Sequence, residues 1–123
     1  MSTQLNGNTS TEIINNLTIS ATGSYGTNIN VAGCTRVELL ATVGTKTGAN
    51  TIVFNILVIE AVSGNTISTY SATAISASNG TATIVIDPVA TNNILGDTIQ
   101  VTWTVGASTS FANTYCRLIT KVR

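Results

Sequence analysis

The stretch Thr98-Ile99-Gln100-Val101-Thr102-Trp103-Thr104-Val105 decides the fold class, because apolar and polar side chains alternate along all of it. A period of two places every second side chain on the same face of an extended chain, whereas a helix repeats its apolar positions every three or four residues. The stretch therefore predicts a half-buried β-strand. Its inward side chains are Ile99, Val101, Trp103 and Val105, with Trp103 as a central core residue.

Three other segments predict strands in the same way. Residues 35–43 alternate between apolar and polar types, and residues 82–86 do so between an Asn79-Gly80 turn and Pro88, which cannot donate a ladder hydrogen bond. Residues 13–19 favour a strand near the N-terminus, with one helical turn as the alternative. The inward positions of the three segments are Val37, Leu39, Ala41 and Val43; Ala82, Ile84 and Ile86; and Ile13, Leu17 and Ile19.

Composition and turn spacing extend this prediction to the whole chain. Ile and Val dominate the aliphatic residues and Thr dominates the polar ones, and these β-branched side chains favour strands over helices. Turn signals recur about every 8 to 12 residues, which predicts about eight strands. The predicted fold class is all-β: a compact antiparallel β-sandwich that is jelly-roll-like, with an Ig-like sandwich as the alternative.

The domain organisation follows from length and local composition. A chain of 123 residues fits one domain. Residues 1–11 are rich in Asn, Thr, Ser and Gly, and they bury too little apolar surface to offset the entropy of ordering. We therefore predict a flexible N-terminal arm over residues 1–11 and a single β-sandwich domain over residues 12–123.

The chain is poor in the side chains that catalytic and metal sites need. It has no histidine, and 8% of its residues are charged. Nucleophilic triads need an imidazole, and two cysteines alone do not complete a zinc site. The net charge of zero gives no basic footprint for nucleic acid, and the longest apolar run is too short to span a bilayer. We expect a non-enzymatic protein without cofactor or metal, and without nucleic acid or membrane as a partner.

Residues 51–62 differ from the other predicted strands because both of their faces are apolar. A sheet face in contact with water is normally polar. Val53, Leu57 and Ile59 on the second face therefore need cover, either from a loop of this chain or from another subunit. We predict them as interface residues, and the low charge of the chain favours association with copies of itself.

Three cations near the C-terminus fall on one face of the last predicted strand: Arg117, Lys121 and Arg123. The simpler interpretation is a solvated sheet edge whose charges discourage aggregation. The alternative is an interface that docks to an acidic protein surface.

Two cysteines, Cys34 and Cys116, lie far apart in the sequence. A disulfide between them would close a loop of about 80 residues and stabilise the fold by roughly 4 kcal/mol in the chain-entropy model. The alternative is a pair of free thiols, since unpaired cysteines are among the residues most often buried.

Three features of the sequence resemble those of a known class of proteins. They are the predicted arm, the short strands bounded by glycine, and the segment Leu95-Gly96-Asp97-Thr98-Ile99-Gln100-Val101-Thr102-Trp103. With them the whole chain resembles the small β-sandwich proteins of tailed-phage virions, in particular capsid decoration or cement proteins. The resemblance implies a jelly-roll or related β fold, a trimer, and a location on the virion. It also implies that the protein binds the outer capsid shell and stabilises it without chemistry.

Two other functions remain open. In the first, the protein is a subunit of an extracellular filament, and residues 1–20 complete the sheet of a neighbouring subunit by strand addition. In the second, it is a carbohydrate-binding module of a fibre or cell-surface protein. The candidate aromatic platforms for a sugar are Tyr25, Tyr70, Phe111 and Tyr115.

Overall fold

A computed structural model describes residues 2–5, 8–89 and 92–122. This part of the chain contains eleven β-strands and no helix. The strands are β1 (Ser2–Leu5), β2 (Asn8–Ile19), β3 (Gly23–Ser24), β4 (Ile29–Asn30), β5 (Cys34–Thr42), β6 (Lys46–Thr47), β7 (Ile52–Ile59), β8 (Thr66–Ser71), β9 (Thr81–Ile86), β10 (Thr98–Val105) and β11 (Ser110–Val122).

The strands form two antiparallel sheets with jelly-roll topology. Sheet A has the order β1-β2-β11-β5-β9, with β6 also beside β11, and sheet B has the order β3-β10-β7-β8, with β4 also beside β10. Pairing runs inward from the two ends of the chain: β2 with β11, β3 and β4 with β10, β5 with β9, and β7 with β8. The prediction of an all-β, jelly-roll-like sandwich is therefore confirmed, and the Ig-like alternative is wrong.

The core lies between the inner faces of the two sheets. The inner face of β7 is fully buried, and the inward positions predicted for β5 and β9 are buried as well. The fully buried side chains include Val37, Leu39, Ile52, Phe54, Ile56, Val58, Ile86, Ile99, Val101, Phe111 and Leu118. Alternation along β5 and β9 thus identified which face of each strand packs inward.

Leu17 is a correction to the predicted core. It is 55% exposed, while Ile13 and Ile14 are both buried. The pairing register of β2 with β11 passes over Ile13 and Asn16, and Asn16 has a left-handed φ of 55°. Each extra residue reverses the side-chain phase of a strand, so the simple alternation fails after Ile13.

Trp103 occupies the margin of the core rather than its centre. Its side chain is half-buried, whereas Ile99 and Val101 earlier in β10 are fully buried. Gly23 of the edge strand β3 pairs with it, and a Cβ added to Gly23 would lie 3.2 Å from the indole. The absence of a side chain at Gly23 therefore leaves room for the large ring.

Part of the predicted N-terminal arm lies among the described residues. Residues 8–11 belong to β2 and pair with β11, which extends to Val122, and residues 2–5 form the hairpin partner β1. Thr11 is buried. Backbone pairing with the long β11 orders this polar segment without a large apolar contribution. Residues 1, 6 and 7 lie outside the described residues, and the division at residue 12 stays a prediction.

Candidate interaction surfaces

The strands of sheet B carry no charge, and the nearest carboxylates in the sequence, Glu60 after β7 and Asp97 before β10, flank one end of the sheet. These strands are β3, β4, β7, β8 and β10. Leu57 lies opposite Gln100 and Thr69 on the outer face, and Val53 lies opposite Thr104. Thr, Gln, Asn and Ser side chains thus surround Val53 and Leu57, and Ile67 of β8 is a further exposed apolar side chain in this sheet. The Ser71 hydroxyl donates a hydrogen bond to the Asn55 amide oxygen at 2.7 Å.

Two of the three predicted apolar interface residues lie on this face. Val53 and Leu57 are half-buried, so each presents a fraction of its side chain to the outside. Ile59 differs, because only 7% of it is exposed. A register shift between Val58 and Ile59 leaves both of these consecutive side chains buried. Ile59 is thus covered within this chain, and the assignment of Val53 and Leu57 to an interface stays a prediction.

The outer face of sheet A holds most of the charge. The chain has ten charged residues, of which Arg123 lies outside the described residues. Six of the other nine lie on this face or at its margin, three of each sign. They are Glu12, Arg36, Glu38, Asp87, Arg117 and Lys121.

Four of these charges form a network at one end of the face. Arg36 Nε donates to Glu38 Oε2 at 2.6 Å, and Arg36 Nη1 lies 3.2 Å from Asp87 Oδ2. Lys121 Nζ lies 3.5 Å from the same Glu38 oxygen. Lys121 lies on the same face as Arg117, and it is ion-paired with Glu38, which also contacts Arg36. Docking of this face to an acidic protein stays a prediction.

A cleft of about 230 Å³ opens on the same face, at the other end from the network. It lies over β2, β11 and β5. Its lining residues are Glu12, Ile14, Asn15, Leu40, Thr42, Tyr115, Cys116 and Arg117.

Irregular backbone builds this cleft. In the register of β2 with β11, Ile14 pairs with Cys116 and Glu12 pairs with Arg117, so Ile13 is an extra residue. A second irregularity follows at Asn16 and a third between Phe111 and Thr114, where Asn113 has a φ of 49°. Bulges bend a strand and disrupt its ladder. The two core residues Ile14 and Cys116 consequently line a surface cleft.

Tyr115 is the only exposed aromatic side chain among the six of the chain, at 45% exposure. Phe111, a predicted platform, is fully buried. Tyr25 and Tyr70 are half-buried against the core, and the Tyr70 hydroxyl accepts a hydrogen bond from the Ile94 backbone N–H at 2.6 Å. Of the four predicted sugar platforms, the structure leaves Tyr115 open.

The two cysteines are free thiols. Cys116 pairs with Ala41 on β5, whereas Cys34 begins that strand and pairs with Val122. Cys34 is thus seven positions along β5 from Ala41, a distance of roughly 20 Å at the rise of a strand. That distance is too long for a disulfide between Cys34 and Cys116. The alternative, a pair of free thiols, is therefore what the structure shows.

The two thiols should differ in reactivity. Burial raises the pKa of Cys116 to about 12, so this thiol stays protonated at mildly alkaline pH, and the thiolate is the reactive form. Cys34 is only half-buried. We expect iodoacetamide to label Cys34 in the native protein and to label Cys116 only in urea, as measured by mass spectrometry of tryptic peptides. Equal labelling of both in the native protein would contradict the burial of Cys116.

Other site types are not visible in the described residues. No three His, Cys, Asp or Glu side chains come together there in a metal-binding group. The same residues include no helix that is long and apolar enough to cross a membrane.

Comparison with known proteins finds likeness at the level of structure only. No protein-family model matches the chain, and no curated protein matches its sequence. A structure of the T13 particle of infectious bursal disease virus matches with a TM-score of 0.62 and 12% identity, over 93% of this chain and 31% of that one. The VP2 subviral particle of the same virus matches with a TM-score of 0.61 and 14% identity, over 94% and 32%.

The SPBc2 prophage-derived protein YomS matches with a TM-score of 0.51 and 12% identity, over 92% of this chain and 91% of that one. What is shared is the fold. The chain spans about a third of the viral proteins but nearly all of YomS. It therefore resembles in fold both a part of a viral particle protein and a prophage-derived protein.

Proposed function

We propose that the protein is a non-enzymatic structural component of a virion, a decoration protein that assembles with copies of itself and binds a capsid shell. The observation that carries the proposal is the lack of charged residues in the strands of sheet B, with Val53 and Leu57 near the centre of its outer face. The filament alternative would require β2 to leave its place between β1 and β11.

The cost of desolvating charged side chains favours sheet B as the surface that a partner covers. Burying an unpaired charge costs several kcal/mol, so the centres of protein interfaces are depleted of charged residues. Soluble domains carry about 25% charged residues on average, and this chain carries 8%. Its few charges are concentrated on sheet A, and three of them, Arg36, Glu38 and Asp87, are in direct contact there. Sheet B is therefore the face that another protein covers at least cost.

The fold supports a virion as the location of the protein. The jelly roll is shared with a viral particle protein and with a prophage-derived protein, which supports a virion as the place where such a surface is covered. The lack of histidine supports a role in packing rather than in acyl transfer. A trimer is the oligomer that we propose.

A lysine on the outer face of sheet B should abolish assembly. We expect the wild-type protein to form a discrete trimer that binds isolated capsids of the virus encoding it, and Leu57→Lys to be a folded monomer that does not bind. The control, Thr83→Lys, places the same charge on the exposed face of β9 in sheet A and should behave as the wild type. Light scattering after size-exclusion chromatography gives the mass, and co-sedimentation gives capsid binding.

Three results would contradict the proposal. They are a monomeric wild-type protein that ignores capsids, a Leu57→Lys variant that still assembles and binds, and spontaneous filaments in electron micrographs. Filaments that disappear on deletion of residues 1–11 would establish strand exchange instead.

A further inference from the structure

We propose that the cleft over β2, β11 and β5 binds a single neutral sugar unit of a glycan, with the Tyr115 ring against the apolar face of the sugar. This binding function goes beyond the structural role proposed above and does not depend on it. The cleft lies on sheet A, whereas the proposed assembly surface lies on sheet B.

The backbone is irregular where the cleft opens. The pairing of β2 with β11 departs from regular register at three places near the cleft, and two asparagines there, Asn16 and Asn113, have left-handed φ angles. Residues in sparsely populated conformations persist only where the surrounding structure holds them, and they cluster at ligand sites. Bulges bend a strand, and these irregularities lie where the cleft opens between β2 and β11.

Tyr115 supplies an exposed aromatic ring at the cleft. Five of the six aromatic side chains are buried or half-buried, whereas Tyr115 is exposed in the middle of a long strand. Leu40, 41% exposed, also lines the cleft. Apolar side chains in a cleft beside polar groups are the usual composition of a small-molecule site. A pyranose ring matches it, because one face presents C–H groups and the rim presents hydroxyls.

Polar side chains form a rim around the apolar part of the cleft. Glu12 lies directly opposite Arg117, and Asn15 and Thr42 lie on the two sides of Tyr115. Among the described residues, neither Glu12 nor Arg117 forms an ion pair, so both keep hydrogen-bonding capacity for a ligand. A carboxylate accepts and a guanidinium donates bidentate hydrogen bonds, which suits neighbouring hydroxyls.

The charge and the volume of the cleft restrict the kind of ligand that it can bind. The carboxylate and the guanidinium cancel, so the cleft favours neither an anion nor a cation, and an uncharged ligand avoids repulsion from both. The volume of about 230 Å³ lies below the range of about 300 to 1,000 Å³ that holds drug-sized molecules. It therefore fits one ring of a longer chain, with the remainder in solvent.

The test is a titration of the ¹⁵N-labelled protein with free glucose, galactose, mannose, N-acetylglucosamine and rhamnose, followed by heteronuclear NMR. We expect at least one sugar to give saturable shifts of the amides of residues 12–16, 40–42 and 113–117. Tyr115→Ala should weaken binding about tenfold, while Tyr115→Phe keeps the ring and binds like the wild type. Thr83→Ala, on the same face outside the cleft, should leave binding unchanged.

Two results would overturn the proposal: none of the five sugars shifts the cleft amides, or Tyr115→Ala binds as tightly as the wild type. The NMR spectrum itself shows whether each variant is folded. If Tyr115→Ala does not fold, Arg117→Gln removes the guanidinium from an exposed position, and undiminished binding by that variant would overturn the proposal equally. We expect Tyr115→Ala to form the same trimer as the wild type. A loss of sugar binding is then distinguishable from the loss of assembly that Leu57→Lys tests.

Discussion

Replacing Phe54 by alanine is expected to lower the free energy of unfolding by about 3 to 5 kcal/mol. Phe54 is fully buried on the inner face of β7, where it pairs with Trp103 of β10, and its carbonyl oxygen accepts a hydrogen bond from the Ala72 N–H just after β8. Truncation removes a large apolar side chain and leaves a cavity that the surrounding strands cannot fill. Because domains of this size are stable by only about 5 to 15 kcal/mol, the loss is a large share of the total. Urea denaturation followed by far-ultraviolet circular dichroism measures it.

The control for Phe54 is Val85→Ala. Val85 lies in β9, the edge strand of sheet A, where it points out of the sheet and is 46% exposed. Its truncation should cost less than about 1 kcal/mol, because little of its surface is buried in the fold. Similar losses for the two variants would show that β7 does not direct Phe54 into the core.

Gly48→Ala is expected to cost about 3 kcal/mol or more, from two causes that add. Gly48 has a φ of 100°, a backbone conformation that costs about 1 to 3 kcal/mol for other residues. A Cβ there would also collide with the Ser108 carbonyl oxygen and lie 2.8 Å from the Thr109 Cα. Thr109 is buried, and its hydroxyl accepts a hydrogen bond from the Asn50 N–H at 3.0 Å. The collision therefore disturbs a contact that joins two loops, and urea denaturation reports the loss.

Gly33→Ala separates the two causes. Gly33 also has a positive φ, of 79°, but no atom lies within 4 Å of an added Cβ. Only the backbone cost of about 1 to 2 kcal/mol remains there. If Gly33→Ala and Gly48→Ala were equally destabilising, the close approach of Gly48 to the loop at Ser108 would be wrong.

Much of the fold was predictable because burial leaves a period-two signal in the sequence. Residues 35–43 and 82–86 alternate, and their apolar positions are buried in β5 and β9. Turn signals such as Asn79-Gly80, where Asn79 has a φ of 59°, separated the strands correctly. Counting strands in this length then favoured the jelly roll.

The candidate cleft was less predictable. Tyr115 and Arg117 were recognised as side chains of interest, but nothing local indicates that Glu12 lies opposite Arg117. That neighbourhood depends on an extra residue at Ile13, and apolar residues at both Ile13 and Ile14 are compatible with several registers. Leu17 was misplaced for the same reason, since the phase of a strand after a bulge is set by its partner.

The sequence by itself determined that this protein is an all-β sandwich with few charges and no imidazole, because composition and alternation are properties of the chain alone. Only the tertiary structure decided where the charges lie. Strands distant in sequence, such as β2 and β11, bring six charged residues to sheet A and leave the strands of sheet B with none. The physical reason is that alternation specifies an inner and an outer face for each strand, whereas long-range pairing selects which outer faces become neighbours.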